Sequence, residues 1–308
     1  MRIETSPAVA QALADGQPVV ALESTIVTHG MPWPRNLEMA REAEAAVRGE
    51  GAEPATVAIV GGRPMVGLED ATLERLAREG TALKAASRDL GPCAASRATA
   101  GTTVSATMRL AWLAGIEIFA TGGIGGVHRG AEETGDVSSD LTELASTPVL
   151  VVCAGAKSIL DIPRTLEALE TLRVPVAVEG ADAFPAFHAR ESGLPAPWRL
   201  DGADALARAW AAHRALSGPG GAPGPGMLVA NPIPEAQAIP REEIDAAVER
   251  ALAEARDEGV SGKEVTPFLL DRLERITAGR SLEANVALML ANARLAARIA
   301  TALATLRA

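Results

Sequence analysis

Short, mainly apolar runs rich in valine and isoleucine recur along the chain, separated by longer stretches in which apolar residues return every three or four positions. Residues 18–22 (PVVAL), 56–60 (TVAIV), 116–120 (IEIFA), 149–153 (VLVVC), 174–178 (VPVAV) and 227–230 (MLVA) fit buried strands. Between them, 35–51, 68–80, 103–114, 158–172 and 203–216 have the spacing of amphipathic helices. Strands this apolar need cover on both faces, and their alternation with helices predicts a layered α/β/α fold with a mostly parallel central sheet. From Ser281, an expected N-cap, an Ala/Leu/Ile pattern runs to the C-terminus. That helix is apolar around much of its circumference, so it should be buried in the core or against another subunit. Residues 217–226 (SGPGGAPGPG) read as an exposed loop too short to join two domains. With no internal repeat, one domain over residues 1–308 is the simplest organisation.

Composition narrows the function classes. The chain carries 29 Lys and Arg against 39 Asp and Glu, a formal charge of −10, and no basic run, which argues against nucleic acid as a partner. No stretch approaches the roughly 20 uninterrupted apolar residues of a membrane span, and the first residues (MRIET) lack the apolar core of a signal peptide. A cytoplasmic protein without membrane partners is expected. Cys93 and Cys153 are far apart without CxxC spacing, and Cys153 reads as a small buried hydrophobe. The basic residues are almost all arginine; only Lys84, Lys157 and Lys263 are lysine. An amine can lose its proton and attack a carbonyl carbon, as a guanidinium cannot, so lysines that persist in such a chain are candidates for chemistry.

Four segments look unlike scaffold. Residues 21–33 (ALESTIVTHGMPW) place Glu23, Ser24, Thr25, Thr28 and His29 at the end of the first strand, the edge where α/β sheets bind ligands. A carboxylate there is partly desolvated and suited to proton transfer, though a capping glutamate would look the same. Residues 120–140 (ATGGIGGVHRGAEETGDVSSD) leave another strand as a glycine-rich turn that serves either as an anion cradle or as a tight structural turn, followed by Glu132, Glu133, Asp136 and Asp140 among hydroxyls. Oxygen ligands of that kind suit a hard divalent cation, and equally a solvated acidic loop. In 149–161 (VLVVCAGAKSILD), Lys157 follows a strand at the expected opening of a helix, where desolvation and the helix dipole both favour the free amine. Lys84 could neutralise a phosphate or polarise a carbonyl. Finally, 231–235 (NPIPE) and 262–268 (GKEVTPF) are proline-stiffened and would suit a wall or lid, or simply close loops.

Taken together, ALESTIVTHGMPWPRN (21–36), ATVAIVGG (55–62), FATGGIGGVHRGAEETGDVSSDL (119–141), VVCAGAKSILD (151–161), VANPIPE (229–235) and GKEVTPFLL (262–270) closely resemble the pseudouridine-5′-phosphate glycosidases nearly end to end. The resemblance implies reversible cleavage of the C–C glycosidic bond of pseudouridine 5′-phosphate to uracil and ribose 5-phosphate by a homotrimer that needs a divalent metal, typically manganese (Mn2+). It places a proton donor on Glu23, a nucleophile on Lys157 and a metal-binding carboxylate on Asp136. Substrate contacts would fall on Lys84, Val104, Ser138, Ser139 and Asp140, with His128 and Asn285 as further site residues. It gives Lys263 no role.

Overall fold

The computed structural model describes residues 3–217, 224–260 and 265–307. Lys263 and most of the 217–226 loop lie outside the described residues. The strands are β1 (Glu4–Thr5), β2 (Val19–Leu22), β3 (Glu53–Val60), β4 (Arg63–Val66), β5 (Leu83–Ala85), β6 (Ala100–Thr102), β7 (Ile118–Ala120), β8 (Leu150–Cys153), β9 (Val176–Glu179), β10 (Arg199–Leu200) and β11 (Met227–Ala230). They form one sheet in the order β1-β4-β3-β2-β7-β8-β11-β9-β10, with β6 also pairing β3 and β5 attached through β6. The run from β3 to β10 through β2, β7, β8, β11 and β9 is parallel throughout. Antiparallel pairing is confined to one flank, where β3 meets β4 and β6. The expected α/β fold with a mostly parallel sheet is present.

Every residue of β2, β8 and β11 is buried, because helices cover both faces. On one side the helix Arg280–Arg307 lies over β2, β7 and β8 and packs on the helices Arg35–Gly49 and Ala203–Leu216. On the other, the helix Val104–Leu113 contacts β2, β3, β4 and β6 and braces the short helix Ser139–Leu144. Arg280–Arg307 is long and apolar enough to cross a membrane by length and composition, a point the sequence reading underestimated, yet 61% of its apolar window is buried inside the protein. It is the core helix, with most of its apolar window buried within the subunit.

Two helix starts differ from expectation. Ser281 lies inside the last helix, which begins at Arg280; Thr277 Oγ1 instead accepts from the Ser281 N–H at 3.1 Å. The helix expected from residue 158 begins at Ile162, capped by Asp161, whose carboxylate accepts from Arg164 N–H at 3.0 Å, with Pro163 in the first turn. Proline favours that first turn and an acidic cap favours the position before it, so the DIP sequence sets the boundary. Lys157 therefore stands in an irregular turn well ahead of the helix. Cys153 is buried as expected, and burial pushes its thiol up to about 12.

Candidate active site

The C-terminal ends of β2, β7 and β8 open onto one cleft with two chambers. A polar chamber of about 250 Å³ is lined by Glu23, Lys84, Val104, His128, Asp136, Ser138, Ser139, Asp140 and Lys157. These are all the residues to which the family resemblance gave a role, except Asn285; Ser24, Thr28, His29, Glu132 and Glu133, also singled out in the sequence, do not line this chamber. Asn285 lines the second chamber, a smaller space of about 70 Å³ walled by Ile26, Met31, Phe187, Leu270 and Leu288. Glu23, Thr25, Lys84 and Lys157 line both, so they mark the junction.

Glu23 leaves β2 into the protein and is 8% exposed. Burial holds its carboxyl above the usual carboxylate range; Lys157, the Thr121 hydroxyl and Lys84 pull the other way, and Asp140 adds to the rise. Thr121 donates a short hydrogen bond to Glu23 Oε1 from the end of β7, which fixes the carboxyl in place. The neighbouring Ser24 is scaffold: its hydroxyl donates to Val57 O at 2.6 Å and accepts from Thr102 N–H at 3.0 Å, tying β2 to β3 and β6. Thr25 is different, because its Oγ1 is buried without a protein partner at the junction. A hydroxyl in that state costs stability unless a ligand or water completes it.

The polar chamber is organised by Asp140. Its Oδ1 accepts from Ser105 N–H and its Oδ2 from Gly125 N–H, both at 2.9 Å, so both oxygens are engaged with backbone. This pins the start of the helix Val104–Leu113 to the glycine-rich turn and presents that helix N-terminus to the cavity. Val104 is only 1% exposed, so its contribution to a ligand is through the backbone. Ser138 caps the helix Ser139–Leu144 by accepting from Asp140 N–H at 3.2 Å, and Ser139 Oγ sits 3.3 Å from Ser105 Oγ.

The glycine-rich turn serves close packing more than anion binding. The N–H groups of Ile124, Gly125, Val127 and His128 are committed to Gly155 O, Asp140, Thr165 Oγ1 and Asp136 O. A Cβ on Gly125 would sit 2.2 Å from Ser138 Oγ, and one on Gly126 2.3 Å from Thr165 Oγ1. The glycines are therefore required by sterics, and the structural alternative of the sequence reading holds at those four donors.

The acidic loop also divides. Glu132 pairs with Arg164 away from the cavity, and Asp136 faces it with a 42% exposed side chain, its Oδ2 3.8 Å from His128 Nδ1. Burial lowers His128 below the ordinary imidazole range, with Lys157 and Lys84 acting in the same sense and Asp136 opposing. Among the described residues no three His, Cys, Asp or Glu side chains converge into a metal cage. What the donor set does fit is a hard cation held by the open Asp136 carboxylate and water, since both Asp140 oxygens already accept from backbone N–H groups. Residues 231–235 line neither chamber; Asn231 Nδ2 donates to Asn292 Oδ1 at 3.0 Å and acts as a strut.

The apolar chamber was largely missed by sequence reasoning. Phe187 holds a left-handed backbone (φ +63°) and its N–H donates to Ala154 O at 3.1 Å, which aims the ring at β7. A Cβ on Gly123 would lie 2.6 Å from that ring. The available signal was the segment DAFPAFHA, which concentrates two of the chain's four phenylalanines.

With this geometry in view, the similarities are decisive. Residues 8–302 match the family model described as indigoidine synthase A like protein. A pseudouridine-5′-phosphate glycosidase of Paracoccus denitrificans is 58% identical over 98% of this chain and 99% of its own, and one of Jannaschia sp. is 56% identical over 97% and 98%. The chain belongs to the pseudouridine-5′-phosphate glycosidase family. Among solved structures, a prealnumycin C-glycosynthase in complex with ribulose 5-phosphate superposes with a TM-score of 0.90 at 41% identity, covering 99% of this chain and 98% of that one. An indigoidine synthase A-like protein of Thermotoga maritima gives 0.88 at 37%, over 98% and 96%. Both solved structures thus share this chain's fold along nearly its full length.

Proposed function

We propose that the chain is a single catalytic domain that reversibly cleaves the C–C glycosidic bond of pseudouridine 5′-phosphate to uracil and ribose 5-phosphate through a covalent lysine–sugar imine. The observation that carries this reading is Lys157 at the junction of a polar and an apolar chamber, beside a buried carboxyl. Sugar phosphate suits the first chamber and a flat pyrimidine the second, which sets the bond between them at the amine. The related C-glycosynthase was solved with a sugar phosphate, which supports the assignment of one end.

A carbon-linked base is a poor leaving group, so the route of ordinary N-glycosides does not serve. In this reading Lys157 Nζ bonds C1′ as the C1′–O4′ bond breaks, and O4′ takes the proton that burial keeps on Glu23. The ammonium so formed at Nζ returns a proton to Glu23, which passes it to C5 of the base and so lets the C1′–C5 bond break. The bonding pair returns to the pyrimidine ring and the nitrogen lone pair closes the C1′=N imine. Water hydrolyses the imine to ribose 5-phosphate and the free amine. Lys84 and the backbone donors at Val104 neutralise and hold the phosphate with Ser138 and Ser139, Asp140 keeps those donors in register, and the Thr25 hydroxyl meets the sugar. His128 adds a polar wall at the phosphate end.

Asp136 is the residue that would hold a divalent cation, manganese in the family resemblance, and the ion would supply charge neutralisation and ordered water. The phosphorylated substrate does not cross membranes unaided, which fits a cytoplasmic enzyme. The trimeric state rests on the family resemblance alone. The test is direct: incubated with pseudouridine 5′-phosphate and manganese, the protein should release equal amounts of uracil and ribose 5-phosphate, lose that activity on chelation and regain it with manganese. Failure to release uracil would overturn the function; indifference to chelation would remove Asp136 as a metal ligand.

A further inference from the structure

His188 is fully buried, and the reaction above gives it nothing to do. It follows the left-handed Phe187, whose ring it meets edge-on at 4.6 Å between centroids. That backbone turn sends the two side chains to different tasks, Phe187 to the apolar chamber and His188 beneath it. The imidazole bridges two groups of the site: its Nδ1 lies 3.1 Å from Ser158 Oγ, and its Nε2 lies 2.8 Å from Asn285 Oδ1. Ser158 immediately follows Lys157, and Asn285 lines the apolar chamber.

The hydrogen positions in this chain follow from chemistry. Burial pushes His188 down to about 4, so the ring is neutral near pH 7 and carries a single N–H. An amide oxygen only accepts, so that hydrogen is on Nε2, which leaves the Nδ1 lone pair to accept from the Ser158 hydroxyl. The Asn285 carbonyl is thereby turned toward the imidazole, and the amide is held in one orientation. Its NH2 group has no protein hydrogen-bond partner among the described residues.

We propose that His188 is a positioning residue that locks the Asn285 amide with its N–H donors, rather than its carbonyl, available to the base, so that the chamber selects a heterocycle presenting a carbonyl oxygen. The inference rests on the assignment of the apolar chamber to the nucleobase. A base that offered an amine at that point would face donor against donor and lose the contact. The imidazole also accepts from Ser158, but Lys157 has its own backbone anchor, its N–H donating to Ile124 O at 3.2 Å, so losing the ring should leave the amine in place.

The experiment uses the synthetic direction, with uracil and ribose 5-phosphate as substrates of the full chain. His188→Phe should raise the KM for uracil by about 10-fold, leave the KM for ribose 5-phosphate unchanged, and leave borohydride trapping of ribose 5-phosphate alone at its normal rate. His188→Gln, whose amide N–H reaches toward the place of Nε2–H, should recover most of the uracil affinity. If both KM values rise and the trapping rate falls with them, the residue is only packing and the proposal is overturned. Nitrogen-15 NMR of histidine-labelled wild-type protein tests the chain without any variant. An Nε2–H ring that does not titrate between about pH 6 and 8 is expected, whereas an Nδ1–H tautomer or titration near the ordinary histidine value would overturn it. A wild-type protein that joins no uracil to ribose 5-phosphate would instead overturn the functional reading, and the NMR result would still decide the hydrogen-bond chain.

Discussion

The two chambers that meet at Lys157 are built in opposite ways. In the polar chamber, Asp140 spends both carboxylate oxygens on the backbone N–H groups of Ser105 and Gly125, and Ser138 caps the adjoining helix; specificity there comes from polar groups that hold one another rigid. The apolar chamber is shaped by bulk, with Phe187, Met31 and Leu288 around Gly122 and Gly123, and its recognised polar group, Asn285, is steadied from behind by a buried imidazole. One end is therefore preorganised for charge and the other for a flat neutral ring. In the proposed reaction the chemistry falls at the junction, where a buried carboxyl and two of the chain's three lysines come together.

Substitutions should separate the two ends from the junction. Lys157→Ala, and equally Lys157→Arg, should lower cleavage by roughly ten-thousand-fold or more while the circular dichroism spectrum stays unchanged, because neither side chain forms an imine. Glu23→Gln should cost about a hundred- to a thousand-fold by removing the proton donor. The pH profile checks the same group. Because burial raises the Glu23 carboxyl, its proton is retained above the usual carboxylate range, so cleavage should persist there and decline as pH rises through the elevated value. In Glu23→Gln that alkaline limb should disappear.

Smaller effects should fall on one end only. Asp136→Asn should raise the KM for ribose 5-phosphate by about ten-fold and weaken the response to manganese, leaving uracil binding alone. Gly122→Ala should do the reverse, since its new Cβ would lie 3.3 Å from Leu288 Cδ1 and narrow the apolar chamber; a rise of about five-fold in the KM for uracil is expected. If each variant altered both KM values equally, the division into two chambers would fail. Thr25→Val should have the mildest effect, a loss of a few-fold in kcat/KM, because it removes one hydroxyl that the protein itself leaves unpartnered.

The same contrast explains what could be read in the sequence. Most of the polar chamber is contiguous: Asp136, Ser138, Ser139 and Asp140 fall within one short stretch of chain, and Gly125 and His128 precede them, so composition and spacing exposed them together. The apolar chamber gathers Met31, Gly122, Phe187, Leu270 and Leu288 from across the chain, and each alone looks like an ordinary core residue. Only the crossing of the sheet by the C-terminal helix brings them together. His188 was hidden for a related reason, since its meaning lies in its two partners, 30 and 97 positions away. At the level of fold, the buried runs of β2, β8 and β11 were plain because helices on both faces demand continuous apolar sequence. The short strands β5 and β6 were not, being three residues each with no run of buried β-branched side chains, yet β5 is what carries Lys84 to the junction.

The central claim is that one particular amine carries the sugar, and the rarity of lysine makes it accessible to a single measurement. The protein is incubated with ribose 5-phosphate, reduced with borohydride, digested and weighed by mass spectrometry. The account predicts one reduced ribose 5-phosphate on the peptide containing Lys157, with Lys84 and Lys263 unmodified. An adduct on Lys84, or an active enzyme that traps no sugar at all, would contradict it.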